Sequence, residues 1–273
     1  MEISFEKFME LLRGYGTAVN AETYKNLQNH DGEGIQFCLE HGCAVMVENY
    51  APDGYGIYIG VYQTSPDGDI ALVTEEQIKN AKEYFRIYNN PEVHIKSGVV
   101  SNGPLPEKWD RLHGWRCYAR KGKKYEADPR IKKLTFKDVP SIKAFFEPYL
   151  CSKDNYECAE AKTITWQAEH FEKIADGANG CFYGFYEHDE LYGVATTCCI
   201  KELNIVWLMD IFVASQHRKK GIGKALVLAA LGQWPNNKWI YQASRDNMPS
   251  TALAKSLGFA LEGAALTQVV KPD

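Results

Sequence analysis

Residues 209–226 read Met209-Asp210-Ile211-Phe212-Val213-Ala214-Ser215-Gln216-His217-Arg218-Lys219-Lys220-Gly221-Ile222-Gly223-Lys224-Ala225-Leu226. An apolar run ending at Val213 predicts a strand, and the Ala/Leu pattern from Ile222 predicts a helix. Between them lies a basic turn spaced by glycines. The first N–H groups of a helix have no internal partner and sit at the positive end of its dipole. Glycine at 221 and 223 lets an anion approach the backbone without a Cβ in the way. Arg218, Lys219, Lys220 and Lys224 add positive charge around those amides. A pyrophosphate is the natural guest of such a turn.

Two familiar phosphate loops are excluded by residue identity. A P-loop requires Ser or Thr after its lysine and Gly six residues before it, whereas Ala225 follows Lys224 and residue 218 is Arg. A dinucleotide fingerprint requires Gly or Ala at 226, which is Leu. Arg218-x-x-Gly221-x-Gly223 instead resembles the acyl-CoA motif, [QR]-x-x-G-x-[GA], of the GNAT superfamily of N-acetyltransferases. Asn247-x-x-Ser250-x-x-Leu253 with Leu257-Gly258-Phe259 resembles that family's second signature, N-x-x-[AS]-x-x-L-Y followed by G-F. The likeness spans about residues 130–265. By themselves Asn247, Ser250 and Gly258 also read as ordinary residues of a helix start and a helix stop.

The resemblance implies acetyl-CoA as co-substrate and transfer of its acetyl group to an amine. It implies two neighbouring strands that splay apart, here those ending at Val213 and starting near Trp239. Backbone groups of Ile211, Phe212 and Val213 would hold the pantetheine arm, and an amide near Val213 would polarise the thioester. Amides from Lys219 through Lys220, Gly221, Ile222 and Gly223 to Lys224 would hold the pyrophosphate. Asn247 and Ser250 complete the expected acetyl-CoA site. Asp210 is the carboxylate best placed by sequence to act as base, although a polar residue on the strand's solvent face is the more ordinary reading of it. The family's usual acid, a Tyr seven residues after the Asn, is here Ala254, with Ser256 or water as substitutes. Three functional readings stay open: acetylation of a small-molecule amine, acetylation of a protein or peptide amine, and an acyl-CoA-binding or interaction module without turnover.

Composition narrows the field. The 273 residues carry a formal net charge of −4, with 45% hydrophobic and 24% charged residues, an ordinary globular balance. Residues 1–127 hold 14 Lys/Arg against 18 Asp/Glu, while 128–273 hold 17 of each, so an anion site belongs to the second half. Neither half has the basic excess of a nucleic-acid binder. No apolar run is long enough for a membrane span, and the first residues lack a signal-peptide pattern, so a cytoplasmic protein is expected. The eight cysteines form no C-x-x-C pair and read as reduced core residues. The histidines show no ligand spacing, so no metal is expected. The partners expected are acetyl-CoA and a small-molecule amine, with no nucleic acid and no membrane; a homodimer is compatible with the sequence.

The fold class read from the element pattern is α+β (mixed α/β). Helices are predicted at Ser4–Arg13 and Ala21–Asn29, strands at Ala44–Glu48 and Tyr55–Gln63, then a helix opened by a capping box at Thr74–Gln77. Val93–Val100 and Arg116–Arg120 read as strands, with a short helix at Pro106–Leu112. The polar stretch 121–129 is the best linker, giving domains at 1–124 and 128–273. After it come strand Ile131–Leu134, helices Asp138–Phe146 and Thr163–Ala175, and a meander over Cys181–Tyr186, Leu191–Ile200 and Ile205–Val213. Helix Ile222–Leu231, strand Trp239–Gln242 and helix Ser250–Leu257 precede a closing strand. The order over 74–120 echoes that over 221–259, and Gly114-Trp115 resembles Gly258-Phe259. A degenerate copy of the second lobe without its phosphate loop, and an unrelated α+β lobe, both fit.

Overall fold

Alternating apolar residues between Gly180 and Val213 become a three-stranded antiparallel meander around which the second half of the chain is built. A computed structural model describes residues 1–49, 56–68, 75–84, 94–102, 113–174 and 180–270. The predicted short helix at 106–112 and the start of the capping box at Thr74 lie outside these residues. The chain forms two compact units, Met1–Tyr118 with Ala243–Met248 and Leu261–Asp273, and Ala119–Gln242 with Pro249–Ala260. The stretch 121–129 and the strand that closes the chain therefore fall in different units.

In the first unit, Ser4 caps α1 (Phe5–Gly14) by accepting from the Lys7 amide at 3.2 Å. Helix α2 (Thr17–Leu27) starts four residues before the expected point, behind Gly16 in the left-handed region at φ 66°. Strand β1 (Ile35–Glu40) was not foreseen; β2 (Cys43–Asn49) and β3 (Gly56–Gln63) follow it as an antiparallel meander. The first residues lie along β1, with Ile3 N–H donating to the Phe37 carbonyl at 3.0 Å. After α3 (Glu75–Tyr84), β4 (His94–Asn102) pairs parallel with β3. Strand β5 is His113–Lys121, so Gly114 and Trp115 are strand residues and not the helix end suggested by their likeness to Gly258-Phe259.

The second unit opens with β6 (Ile131–Leu134) and α4 (Val139–Phe146). The turn before α4 is locked by Thr135, whose amide and hydroxyl both donate to the Asp138 carboxylate at 2.7 and 2.8 Å. Helix α5 (Asn155–Glu169) begins eight residues earlier than predicted, because Asp154 caps it and accepts from the amides of Tyr156 and Glu157. The four-residue α6 (Phe171–Ile174) replaces the last turn of the helix expected there. Then come β7 (Gly180–Glu187), β8 (Glu190–Ile200) and β9 (Ile205–Val213), with α7 (Ile222–Gln233) leading to β10 (Lys238–Ser244), parallel to β9. The β7–β8 turn places His188 and Asp189 at φ 52° and 61°, the two positive values a two-residue hairpin loop demands. Helix α8 (Met248–Ser256) and β11 (Ala260–Val270) close the chain, β11 pairing antiparallel with β4.

Both units share a run of two helices, three antiparallel strands, a helix and a parallel strand, the second adding β6 before its helices and the four-residue α6 after α5. The core on one face of the second unit joins Leu134, Ile142, Phe146, Ile164, Phe182, Val194 and Phe212. All eight cysteines are free thiols, and Cys198 and Cys199 are buried in β8.

Candidate active site

Strand β9 is held along its whole length by β8, from Ile200↔Ile205 to Gly193↔Val213. Its other neighbour follows only partway: the β9–β10 register runs from Ile205↔Lys238 to Leu208↔Tyr241 and stops. The parting coincides with a β-bulge, since Thr197 faces Leu208 and Thr196 faces Asp210, leaving Met209 as the extra residue. A bulge bends a strand and sharpens its twist, which carries Met209–Val213 away from β10. It also interrupts the alternation of faces. Leu208 shares a face with Thr197, whereas Asp210 and Phe212 share the opposite face with Thr196 and Val194.

The parted stretch leads into the basic turn. Arg218 Nε donates to the Val213 carbonyl at 3.0 Å, and its Nη2 reaches Glu157 Oε1 at 2.9 Å. The Arg218 side chain therefore anchors the strand end to α5, and the Val213 carbonyl is already engaged. Lys219 and Gly221 adopt left-handed backbone at φ 62° and 82°. Gly221 is the N-cap of α7 and supplies no side-chain cap, so the first amides of that helix keep their outward-facing donors. A Cβ at Gly221 would meet nothing within 4 Å; one at Gly223 would touch Ile211 Cδ1 and Leu253 Cδ2 at 3.5 Å. Ile222 anchors the turn in the core, while Lys219, Lys220 and Lys224 are exposed. Phe212 points the other way, its ring centroid 4.9 Å from that of Phe146.

Asp210 does not look into solvent. Gln167 on α5 donates from Nε2 to Asp210 Oδ2 at 2.6 Å. On α5, Glu157, Glu160, Ile164 and Gln167 recur at intervals of three and four, so one helix face carries two carboxylates and an amide. Burial, and next the Asp210 carboxylate, push Glu160 up to about 7, with Arg218 pulling the other way. Glu157, nearly buried, is satisfied by Arg218 and by Ser152, whose hydroxyl donates at 2.9 Å. Glu160 escaped the sequence reading because the stretch 155–162 was not recognised as helix, whereas Gln167 lies inside the expected helix Thr163–Ala175 and carried no signal of its own. The signal present was Asp154 followed three residues later by Glu157.

Of the remaining predicted residues, Ser250 lies on α8 with its hydroxyl 2.8 Å from that of Tyr241, and Asn247 immediately precedes that helix. Burial pushes the Tyr241 phenol up to about 12. Ala254 is fully buried, and the Ser256 hydroxyl donates to the Leu253 carbonyl. Among the described residues no group of His, Cys, Asp and Glu is arranged to hold a metal, and no helix is long and apolar enough to cross a membrane.

A family model described as "Acetyltransferase (GNAT) family" matches residues 149–259, the span from the end of α4 through α8. A search of the curated proteins found no match. Among solved structures, the chain is similar to a GNAT-family acetyltransferase from Colwellia psychrerythraea, with 12% identity, 99% of each chain covered and a TM-score of 0.57. A tandem GNAT protein from the clavulanic acid biosynthesis pathway shows 12% identity, a TM-score of 0.56, and coverage of 100% of this chain and 98% of its own. A GCN5-related N-acetyltransferase from Sphaerobacter thermophilus gives 12% and 0.54, over 97% and 92%. At these identities the likeness is one of fold, and it extends over both units, including the first with its repeated element order. Parted strands and an uncapped basic helix start thus lie on the stretch, residues 149–259, that the model of the acetyltransferase (GNAT) family matches.

Proposed function

We propose that this protein transfers an acetyl group from acetyl-CoA to the primary amine of a small molecule, by direct attack within a ternary complex. The observation that carries this reading is the parting of β9 from β10 after Leu208–Tyr241, which opens toward the uncapped first turn of α7. The backbone edge of Met209–Val213 offers pairing groups to the pantetheine arm, as an added strand would take them. The amides of Gly221–Lys224 and the ammonium groups of Lys219, Lys220 and Lys224 face the pyrophosphate. The open space beside Gly221 fits a bulky anion there. An amine held against the thioester needs positioning, polarisation of the carbonyl and removal of a proton, and no covalent enzyme intermediate. The CoA thiolate is a good enough leaving group to depart with the second amine proton.

A second reading, an acyl-CoA-binding module without turnover, draws on one observation: the position of the family's usual acid is Ala254, sealed in the core. Calorimetric titration with acetyl-CoA, with ATP and NAD as controls, tests the site, and release of free thiol in the presence of an amine tests turnover. Saturable binding selective for acetyl-CoA and lost in Gly221→Asp is the expected result. Binding without thiol release over a broad amine panel would favour the second reading, and no binding would sink both.

A further inference from the structure

The inner face of α5 and the facing edge of β9 hold a polar group the sequence did not announce. Gln167 is 2% exposed and Thr196 fully buried. Gln167 Nε2 is bound to Asp210, but Gln167 Oε1 and Thr196 Oγ1 are buried with no protein partner. Thr196 lies directly across the β8–β9 ladder from Asp210, on the same face. Glu160 lies two helical turns before Gln167 on one face of α5, and α5 packs against β9. What converges here is acceptors: two carboxylates, an amide oxygen and a hydroxyl. Buried acceptors left unmatched destabilise the fold, so such a group calls for a donor-rich guest. An ammonium group has three N–H donors and a positive charge, and no acceptor of its own.

Resting on the acetyl-transfer reading, we propose that the acceptor binds as a protonated alkyl amine, its ammonium seated among Glu160, Asp210, Gln167 Oε1 and Thr196 Oγ1, and that Glu160 takes its proton. The step balances: R–NH3⁺ and the Glu160 carboxylate become R–NH2 and the Glu160 carboxylic acid. The freed nitrogen lone pair then bonds to the thioester carbon as the C–S bond breaks, and the thiolate leaves with the second amine proton. Glu160 returns its proton to water. The charged and titratable groups around Glu160 are Asp154 and Glu157 on its own helix, Asp210 on β9, Arg218 beyond it and Tyr241 on β10. Their sum is negative, and only Arg218, itself paired with Glu157, opposes it. A carboxyl poised near neutral pH by burial and by Asp210 can both hold the cation and accept its proton.

The test titrates n-butylamine and, as its uncharged counterpart, n-butanol into the protein by calorimetry, with and without saturating CoA. Wild type is expected to bind the amine at least tenfold more tightly than the alcohol. Glu160→Gln and Asp210→Asn should each lose at least tenfold in amine affinity while leaving acetyl-CoA affinity unchanged. Thr196→Val, which keeps the shape and removes the hydroxyl, should lose a smaller factor of about three to ten. Two buffers of different ionisation enthalpy report net proton exchange: seating an ammonium beside Glu160, poised near neutral pH, should release a fraction of a proton to the buffer, and that release should vanish in Glu160→Gln. Equal affinity for amine and alcohol overturns the proposal, as does unchanged amine binding in both carboxyl variants with acetyl-CoA binding intact. Failure of wild type to bind acetyl-CoA would instead overturn the acetyl-transfer reading, and the titration without CoA would still decide the subsite.

Discussion

Gly221 and Gly223 stand two residues apart in one motif, yet the structure assigns them different tasks, and exchanging each for Ala separates the two. Gly221 sits at φ 82° with open space where a Cβ would go. Its glycine is required by backbone conformation, because a left-handed backbone costs an Ala about 1–2 kcal/mol. Gly223 lies inside α7, and an added Cβ would make ordinary contacts at 3.5 Å with Ile211 and Leu253. Ala there gains up to about 1 kcal/mol of helix propensity. Melting should therefore move in opposite directions: Gly221→Ala down by about 2–8 °C, and Gly223→Ala up by a few degrees at most. If the free loop of Gly221→Ala relaxes out of its left-handed turn, binding must restore it. The same 1–2 kcal/mol then appears as a roughly 5- to 30-fold weaker affinity for acetyl-CoA. Gly223→Ala should bind within about twofold of wild type. Differential scanning calorimetry and calorimetric titration read both effects on the same preparations. A Gly221→Ala protein with undiminished melting temperature and affinity, or a Gly223→Ala protein more damaged than it, would refute the assignment.

Glu160 binds its proton more tightly when folded, so its contribution is best when protonated and is lost as pH rises from about 4.5 through about 7. Glu160→Gln should therefore narrow the fall in melting temperature between pH 5 and pH 8, and an unchanged fall would show that Glu160 is not the group concerned. Restoring the family's usual residue with Ala254→Tyr should overpack a fully buried site, destabilise the fold by at least about 1–3 kcal/mol in urea titration and give no gain in turnover. Calorimetry should count one acetyl-CoA per chain; two equivalent sites would contradict the difference between the lobes developed below.

How much of this was legible in the sequence depends on what each residue had to signal. The shape of the basic turn was readable because its requirement is local: glycine where φ is positive, lysines at a helix start, an apolar strand before it. The meander and the helices with strong apolar periodicity were placed within a residue or two for the same reason. Strand β1 was missed although Ile35, Phe37 and Leu39 alternate, because the short run lies among glycines and polar residues. Helix α5 was started too late because its first turns bury Glu157 and only the small Ala161, so the strong apolar period that marks an amphipathic helix begins at Ile164. A hydrophobic-period reading fails where a helix turns chemistry inward, and Glu160 went unseen with it, while Gln167 gave no local sign of its partner Asp210, 43 positions away. The Arg218–Glu157 pair joins residues 61 positions apart, and no local pattern encodes such a contact.

The two units, alike in element order, differ where a ligand would enter. In the first, β3 and β4 pair without interruption from Gly56↔His94 to Tyr62↔Val100, seven positions that satisfy one edge of β3 nearly to its end. In the second, the corresponding strands pair at four positions, and the extra residue Met209 turns β9 aside at that point. An extended cofactor arm can add to a strand only where backbone donors and acceptors are unmatched, and displacing a formed ladder means breaking bonds it must then replace. The first unit therefore has no slot between β3 and β4 to offer, independent of which side chains it carries. A single inserted residue both opens the slot in the second unit and turns Asp210 toward α5, opposite to the face of Leu208. The parting from β10 and the turn of Asp210 toward α5 thus share one local departure from regular pairing, which the first unit's ladder lacks, and the proposed cofactor slot and acceptor site both rest on it.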